Sequence, residues 1–176
     1  INAKIDSLIL MEKYSPKIQP DFNVFENLTA DSIPNADLWY LSIQTYNNHE
    51  FVKRVMHDAE LKKAMKEFTT DFQNHPTLND ELLKTDKLNI QTITARQYDS
   101  YFGKKPKRNE KAWKKVLKKY GTKQIIGFSK INYYKNFATL YYERHCGQLC
   151  GSGNMVVFEK IKGKWIILSE INFWMS

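Results

Sequence analysis

Cysteine is scarce in this chain, and so are long runs of apolar residues. Two cysteines in 176 residues are too few for a fold held together by several disulfide bonds. No apolar run approaches the ~18 residues that a membrane-spanning helix needs, so we expect no transmembrane segment. The sequence also contains neither internal repeats nor low-complexity segments.

Motifs for catalysis and cofactor binding are missing as well. A zinc site needs about four ligands, usually in two spaced pairs. His49, His57 and His75 are scattered along the chain, and there is no second cysteine pair. We therefore expect no metal and no cofactor. The sequence leaves open whether the protein is an enzyme.

The residues that are present predict a folded α+β protein. The chain is 42% hydrophobic, 14% aromatic and 26% charged, so it can bury a core as one domain over residues 1–176. Residues 1–121 are expected to be mostly helical, with one or two strands, and residues 122–176 to form a β-meander. Helices would then pack on a curled antiparallel sheet.

The meander is predicted from four runs that are rich in β-branched and aromatic residues and separated by polar or glycine breaks. Gly163 gives the last hairpin a residue that tolerates the positive φ of a tight turn. The fourth run is apolar on both faces, which predicts a central strand or a place where the sheet curls over its core. The runs cover residues 124–134, 137–146, 154–161 and 165–174.

Periodicity predicts the elements that precede the meander. A long amphipathic helix over residues 50–72 is expected to break near Asp58. Asn109 begins the clearest helix, which ends before Gly121. The other expected elements are helices at residues 6–14, at 36–46 and around Tyr98, and strands at residues 22–28 and 88–95.

The helix after Asn109 also carries most of the net charge of +8. Residues 104–123 hold ten basic residues and one acid, and the rest of the chain is about neutral. Such lysines can bind an acidic protein partner or an anionic surface. The alternative interpretation is a solvent-exposed helix face that keeps the protein soluble. Nucleic acid is less favoured, because the nearby aromatics lie on the core stripe Trp113, Val116, Leu117 and Tyr120. The basic patch consists of Lys104, Lys105, Lys107, Arg108, Lys111, Lys114, Lys115, Lys118 and Lys119.

Alternation in the second run predicts which side chains share a face. Thr139, Tyr141, Glu143 and His145 point the same way, and we interpret them as a binding face. An enzyme would use Glu143, His145 and Cys146 in a pocket there. Neighbours on a strand point to opposite faces, however, so His145 is poorly placed to activate Cys146 as a nucleophile. Cross-strand packing or a solvated face is the alternative interpretation.

A glycine-rich loop separates the second and third runs, and three residues lie between Cys146 and Cys150. The glycines in and after this loop let the chain fold back. The two Cα atoms can then reach the ~4.4–6.8 Å separation that a disulfide needs. We predict this disulfide for an exported protein. A reactive thiol and a pair of reduced cysteines are the alternatives.

The last third of the chain combines a tryptophan-bearing helix, a Gly-Phe-Ser strand, a Cys-Gly-x-Leu-Cys-Gly-x-Gly loop and a Gly-Lys-Trp turn. The residues are Trp113, Tyr120, Gly127-Phe128-Ser129, Cys146-Gly147, Leu149-Cys150-Gly151, Gly153, Gly163-Lys164-Trp165 and Trp174. This combination resembles a family of uncharacterised bacterial proteins, many of them exported. The resemblance covers residues 113–176 and departs at Lys119-Tyr120-Gly121, where the family has Tyr-Pro. It implies export and an opening helix like residues 5–14, and it assigns no catalytic residue.

Three functional hypotheses follow. The first is a non-enzymatic exported binding protein, whether periplasmic, secreted or lipid-anchored. The chain begins at Ile1 and not at Met, which we interpret as the removal of an earlier segment. The second is an enzyme with a pocket near Glu143, His145 and Cys146. The third is an immunity-type protein that neutralises a partner through the basic patch at 104–123.

Overall fold

The computed structural model describes residues 7–11, 49–71, 89–103, 110–147 and 149–176. Within these residues the chain forms four helices and a mixed, open sheet of seven strands, which confirms the α+β class and fits a single domain. The helix predicted at 36–46 and the strand predicted at 22–28 lie outside the described residues. The elements are β1 (Ser7–Met11), α1 (His49–His57), α2 (Ala59–Asp71), β2 (Asn89–Ile93), α3 (Ala95–Phe102), α4 (Glu110–Tyr120), β3 (Ile125–Phe128), β4 (Asn132–Tyr134), β5 (Phe137–Gly147), β6 (Cys150–Ile161) and β7 (Lys164–Met175).

The sheet combines parallel and antiparallel pairs. Its described strand order is β2-β1-β3-β5-β6-β7. β3 and β4 both pair with the same side of β5, β4 with residues 137–139 and β3 with residues 142–145. β1 is parallel to β2 and β3, whereas the pairs from β3 to β7 are antiparallel. The first run of the meander is therefore two strands. Ser129 separates them, because its N–H and its side-chain oxygen both bond the backbone of Tyr141.

The helix predicted over residues 6–14 is wrong, because residues 7–11 form strand β1. A short apolar run such as Leu-Ile-Leu-Met has no diagnostic period and suits either structure. β1 pairs with β2 along its whole length and with β3 at Ile9 and Leu10. A parallel strand covered on both faces is apolar at nearly every position, and Ile9, Leu10 and Met11 are all buried.

Helices and one face of the sheet share a single apolar core. The break predicted near Asp58 is confirmed, since its carboxylate accepts from the N–H groups of Glu60 and Leu61 at 3.1 and 3.0 Å and caps α2. Gly121 ends α4 with a positive φ of 72°. The largest core side chains include Phe51, Leu61, Met65 and Phe68 from the helices α1 and α2, Phe102 and Trp113 from α3 and α4, and Tyr141, Met155 and Ile171 from the sheet.

β7 is the last strand of the described path, so the prediction that it is central is wrong for this part of the chain. Its second half packs on the core, where Ile171 is fully buried. Its first half is exposed, including Ile166 and Ile167. The apolar residues of β7 are therefore exposed in its first half and packed on the core in its second half.

Candidate functional site

The predicted binding face of β5 is turned toward the core. Thr139, Tyr141, Glu143 and His145 share one face, as alternation predicts, but the first three are buried and His145 is half-buried. Directly opposite Tyr141 on β6 is Met155, which belongs to the same apolar core as the helices. These polar groups therefore face the interior of the protein.

Glu143 is the centre of a hydrogen-bonded group at the edge of that core. Its side chain is 2% exposed. Oε1 accepts from the Tyr141 hydroxyl at 3.0 Å, and Oε2 lies 3.1 Å from His145 Nε2. Trp174 Nε1 donates to the Tyr141 oxygen at 2.9 Å. Because a buried carboxylate is costly without such partners, we treat Tyr141, Glu143, His145 and Trp174 as one unit, the carboxylate cluster.

Glycines on the neighbouring strands make room for this cluster. Glu143 lies opposite Gly127 on β3 and Gly153 on β6. A Cβ atom on Gly153 would overlap both Trp174 Nε1 and the Tyr141 hydroxyl oxygen. Gly153 is therefore required by the close approach of the indole and the phenol to the sheet.

We expect Gly153→Ala to lower the free energy of unfolding by about 1–3 kcal/mol, because the added methyl group forces the buried Tyr141 and Trp174 side chains apart. Gly151→Ala is the matched control on the same strand. A Cβ atom there would meet Ser176 Oγ at 2.9 Å and the Trp174 ring at 3.0 Å, which are milder overlaps than those at Gly153, so we expect a smaller loss. Urea unfolding of both variants measures the difference, and equal losses would show that the cluster does not depend on Gly153.

Burial also raises the pKa of two tyrosines, Tyr141 in the cluster and Tyr98 on α3. Burial, and then the negative charge of Glu143, raises the pKa of Tyr98 on α3 to about 12. The same two causes, in the same order, raise the pKa of Tyr141, although the hydrogen bond from Trp174 opposes them. Glu143 is thus electrostatically coupled to both phenols.

These shifts predict a loss of stability at alkaline pH. Above about pH 10 the unfolded tyrosines release protons that the folded chain still holds, so unfolding becomes easier as the pH rises. Tyr98 contributes a loss of about 1.4 kcal/mol per pH unit until the pH passes its folded-state pKa. Urea titrations across this range measure the slope. Tyr98→Phe should make the slope shallower, and a slope unchanged from that of the unsubstituted protein would contradict the assignment. Tyr133→Phe, which removes an exposed hydroxyl, is the control.

Cys146 and Cys150 lie at disulfide distance, with Cα atoms 5.1 Å apart, where β5 turns into β6. This geometry agrees with the predicted bond. A sulfur held in a disulfide is not a thiolate nucleophile. The structure therefore pairs Glu143 with His145 but does not supply a free thiol beside them.

The basic patch is described in part. Lys104, Lys105, Lys107 and Arg108 lie outside the described residues. On α4 the stripe residues Trp113, Val116 and Tyr120 are buried as predicted, whereas Leu117 is 42% exposed. The patch lysines of this helix are all exposed: Lys111, Lys114, Lys115, Lys118 and Lys119.

No three His, Cys, Asp or Glu side chains among the described residues are placed to hold a metal ion. No helix in that part of the chain is long and apolar enough to cross a membrane. An open cleft of about 770 Å³ lies where α1 meets α2, lined by residues such as Arg54, Asp58 and Leu168. No residue of the carboxylate cluster lines it.

No protein-family model matches the chain, and no curated protein or solved structure is significantly similar to it. The resemblance to exported bacterial proteins therefore stays a hypothesis based on the motifs quoted above.

Proposed function

We propose that this chain is a non-enzymatic, exported binding protein that contacts its partner through an exposed apolar surface at one end of the sheet. The observation that carries the proposal is the β6–β7 hairpin, where all residues from 160 to 167 are exposed. Trp165 and Ile167 are 41% and 67% exposed. Exposed apolar side chains grouped in this way are typical of interaction sites.

Two hairpin turns lie side by side at this end of the sheet. Lys162 and Gly163 connect β6 to β7 with φ values of 50° and 80°, the pair of positive values found in a type I′ turn. The Lys160 N–H donates to the Asn136 carbonyl at 2.7 Å and joins this hairpin to the β4–β5 turn. We call residues 130–136 and 160–167 the hairpin-end surface.

An apolar row crosses the face of the sheet opposite the core. Tyr133 on β4 is 63% exposed, and its ring centroid lies 5.7 Å from that of Trp165 on β7. This surface was not predicted from the sequence, although the run Lys-Ile-Lys-Gly-Lys-Trp-Ile-Ile, at residues 160–167, indicates it. Directly paired residues make up the row across four strands: Tyr133, Ala138, Phe158 and Ile167.

The carboxylate cluster gives the enzyme hypothesis less support. Both oxygens of Glu143 have protein partners, and the carboxylate is buried. A substrate would have to displace His145 or Tyr141 to reach it. The immunity-type hypothesis needs the lysines of α4, and a solvated helix face explains their exposure equally well.

The disulfide geometry supports export, because such bonds persist in oxidising compartments. We expect native protein to show no alkylatable thiol before reduction and both thiols after it, as counted by mass spectrometry. The loop closed by Cys146 and Cys150 is short, so the bond adds only about 2 kcal/mol. The double Cys→Ser variant should therefore stay folded. Two free thiols in the native protein would contradict both the bond and this support for export.

Site-specific photo-crosslinking tests the interaction surface in the organism that makes the protein. A photoreactive residue at position 167 should give a defined adduct, whereas the same residue at position 118 on α4 should not. Replacing Trp165 with Ser should reduce the adduct formed at 167. The proposal fails if position 167 gives no adduct, or if the two positions give the same adducts.

A further inference from the structure

We infer that the partner of the hairpin-end surface is the surface of an anionic lipid membrane, which the protein contacts without spanning it. This inference rests on the proposed function and names the chemistry of the partner. Three features of the surface carry it: its charge, its aromatic side chains and its use of lysine instead of arginine.

The charge of the surface is positive. The acids of residues 121–176 are Glu143, Glu159 and Glu170, and each is bonded inside the protein. Glu143 belongs to the carboxylate cluster, Arg54 binds Glu159 at 2.8 Å, and the Tyr142 hydroxyl donates to Glu170. Glu60 of α2 pairs with Lys135, at the β4–β5 turn of the hairpin-end surface. Its exposed lysines are Lys130, Lys135, Lys160, Lys162 and Lys164.

The aromatic side chains are placed as lipid headgroups require. Tyr and Trp rings prefer the boundary between acyl chains and headgroups, because they are apolar with one polar edge. Tyr133 and Trp165 lie together on the same face of the sheet, with Ile167 on the same side. Lys160 Nζ lies 5.7 Å from the centroid of the Trp165 ring. A lysine beside such a ring can extend its ammonium group to a phosphate while its methylene chain stays on apolar surface.

The choice of lysine favours a membrane over an acidic protein. Protein interfaces are enriched in arginine and depleted of lysine. The hairpin-end surface contains five lysines and no arginine. Arg54 reaches this end of the sheet, but its guanidinium is bonded to Glu159. Lysines act as compact point charges without a fixed geometry, which suits a fluid layer of phosphates. A polybasic surface gains roughly fivefold in partitioning for each lysine near an anionic membrane.

The test is co-sedimentation of the full chain with vesicles of phosphatidylcholine, with and without phosphatidylglycerol. We expect binding to the anionic vesicles, little binding to the neutral ones, and a loss of binding as salt is added. Replacing Trp165 and Ile167 together with Ser should weaken binding to the anionic vesicles at least about fivefold, because the apolar contact is lost. Both side chains are exposed, so the variant should keep its fold.

Two charge variants separate a local site from a general attraction. In the first, Lys130, Lys160, Lys162 and Lys164 are replaced by Gln. In the matched control, the helix α4 lysines Lys111, Lys114, Lys115 and Lys118 are replaced instead. Each variant lowers the net charge from +8 to +4. The first should lose at least about tenfold in vesicle partitioning, and the control should lose much less.

The outcomes distinguish this inference from the proposed function. No binding to anionic vesicles, or equal losses in the two charge variants, overturns the membrane inference. If position 167 still crosslinks to a discrete protein in the cell, the hairpin-end surface remains an interaction site and its partner is that protein. If position 167 forms no adduct with lipid or protein, the proposed function fails, and the membrane inference that rests on it fails with it.

Discussion

Removal of residues 171–176 is expected to leave a chain that is largely unfolded, or that melts at least about 10–20 °C below the intact protein. The deletion removes the fully buried side chain of Ile171 and two half-buried aromatic side chains, Phe173 and Trp174. Each of these contributes about 1.5–3 kcal/mol by burial, against a typical total stability of about 5–15 kcal/mol. The deletion also removes the Trp174 hydrogen bond to Tyr141, which would disturb the carboxylate cluster.

A shorter deletion is the control. Residues 175–176 include Met175, which is largely exposed, and the backbone pair between Ser176 and Gly151. Deleting them should lower the melting temperature by only a few degrees. Circular dichroism melting of the two truncated chains measures the difference. Similar melting temperatures for the longer deletion and the intact protein would mean that the second half of β7 contributes little to the core.

Replacing Trp113 with Ala is expected to cost about 3–5 kcal/mol of the free energy of unfolding, because a large ring leaves a cavity in the core. The Trp113 side chain lies 4.7 Å, centroid to centroid, from Phe102 of α3. Its indole Nε1 is buried without a hydrogen-bond partner among the described residues. Trp113→Phe, which keeps most of the ring and removes that N–H, should therefore cost much less than the Ala variant.

Replacing the lysines of the same helix is expected to change the free energy of unfolding very little. Exchange of Lys111, Lys114, Lys115 and Lys118 for Gln should change the free energy of unfolding by less than about 1 kcal/mol, since exposed ion pairs are weak. The Lys114–Glu110 pair, at 2.9 Å, joins two side chains that are more than half exposed. Chemical denaturation of the variants gives both numbers. A larger loss from the lysines than from Trp113 would mean that the faces of α4 are inverted.

Local features of the fold could be predicted because they depend on neighbours in the sequence. The stripe of α4 repeats every three or four residues, and Gly121 ends that helix with a positive φ. Asp58 interrupts the long helix by capping the next one with its own side chain. The hairpin turn at Gly163 follows from the same kind of local steric argument.

The carboxylate cluster was predicted in part. Alternation along β5 established that Glu143 and His145 share a face, and the structure brings them within hydrogen-bond distance. Alternation does not tell which face is buried, because both faces of that strand carry aromatic residues. Trp174 completes the cluster from another strand, thirty-three residues along the chain from Tyr141. Sequence spacing gives no signal for such a contact.

The sequence by itself determined the α+β class, the end of α4 at Gly121, the break between α1 and α2, the sheet-forming runs of the last third and the close approach of Cys146 and Cys150. Each depends on residues a few positions apart, where periodicity and backbone sterics decide the outcome. Only the tertiary structure decided that residues 7–11 are a strand, because β1 is defined by pairing with β2 and β3, far along the chain. It also decided that the first half of β7 is exposed and Glu143 buried. The type of a side chain does not decide whether it is buried or exposed. That depends on which residues pack against it, and these come from distant parts of the chain.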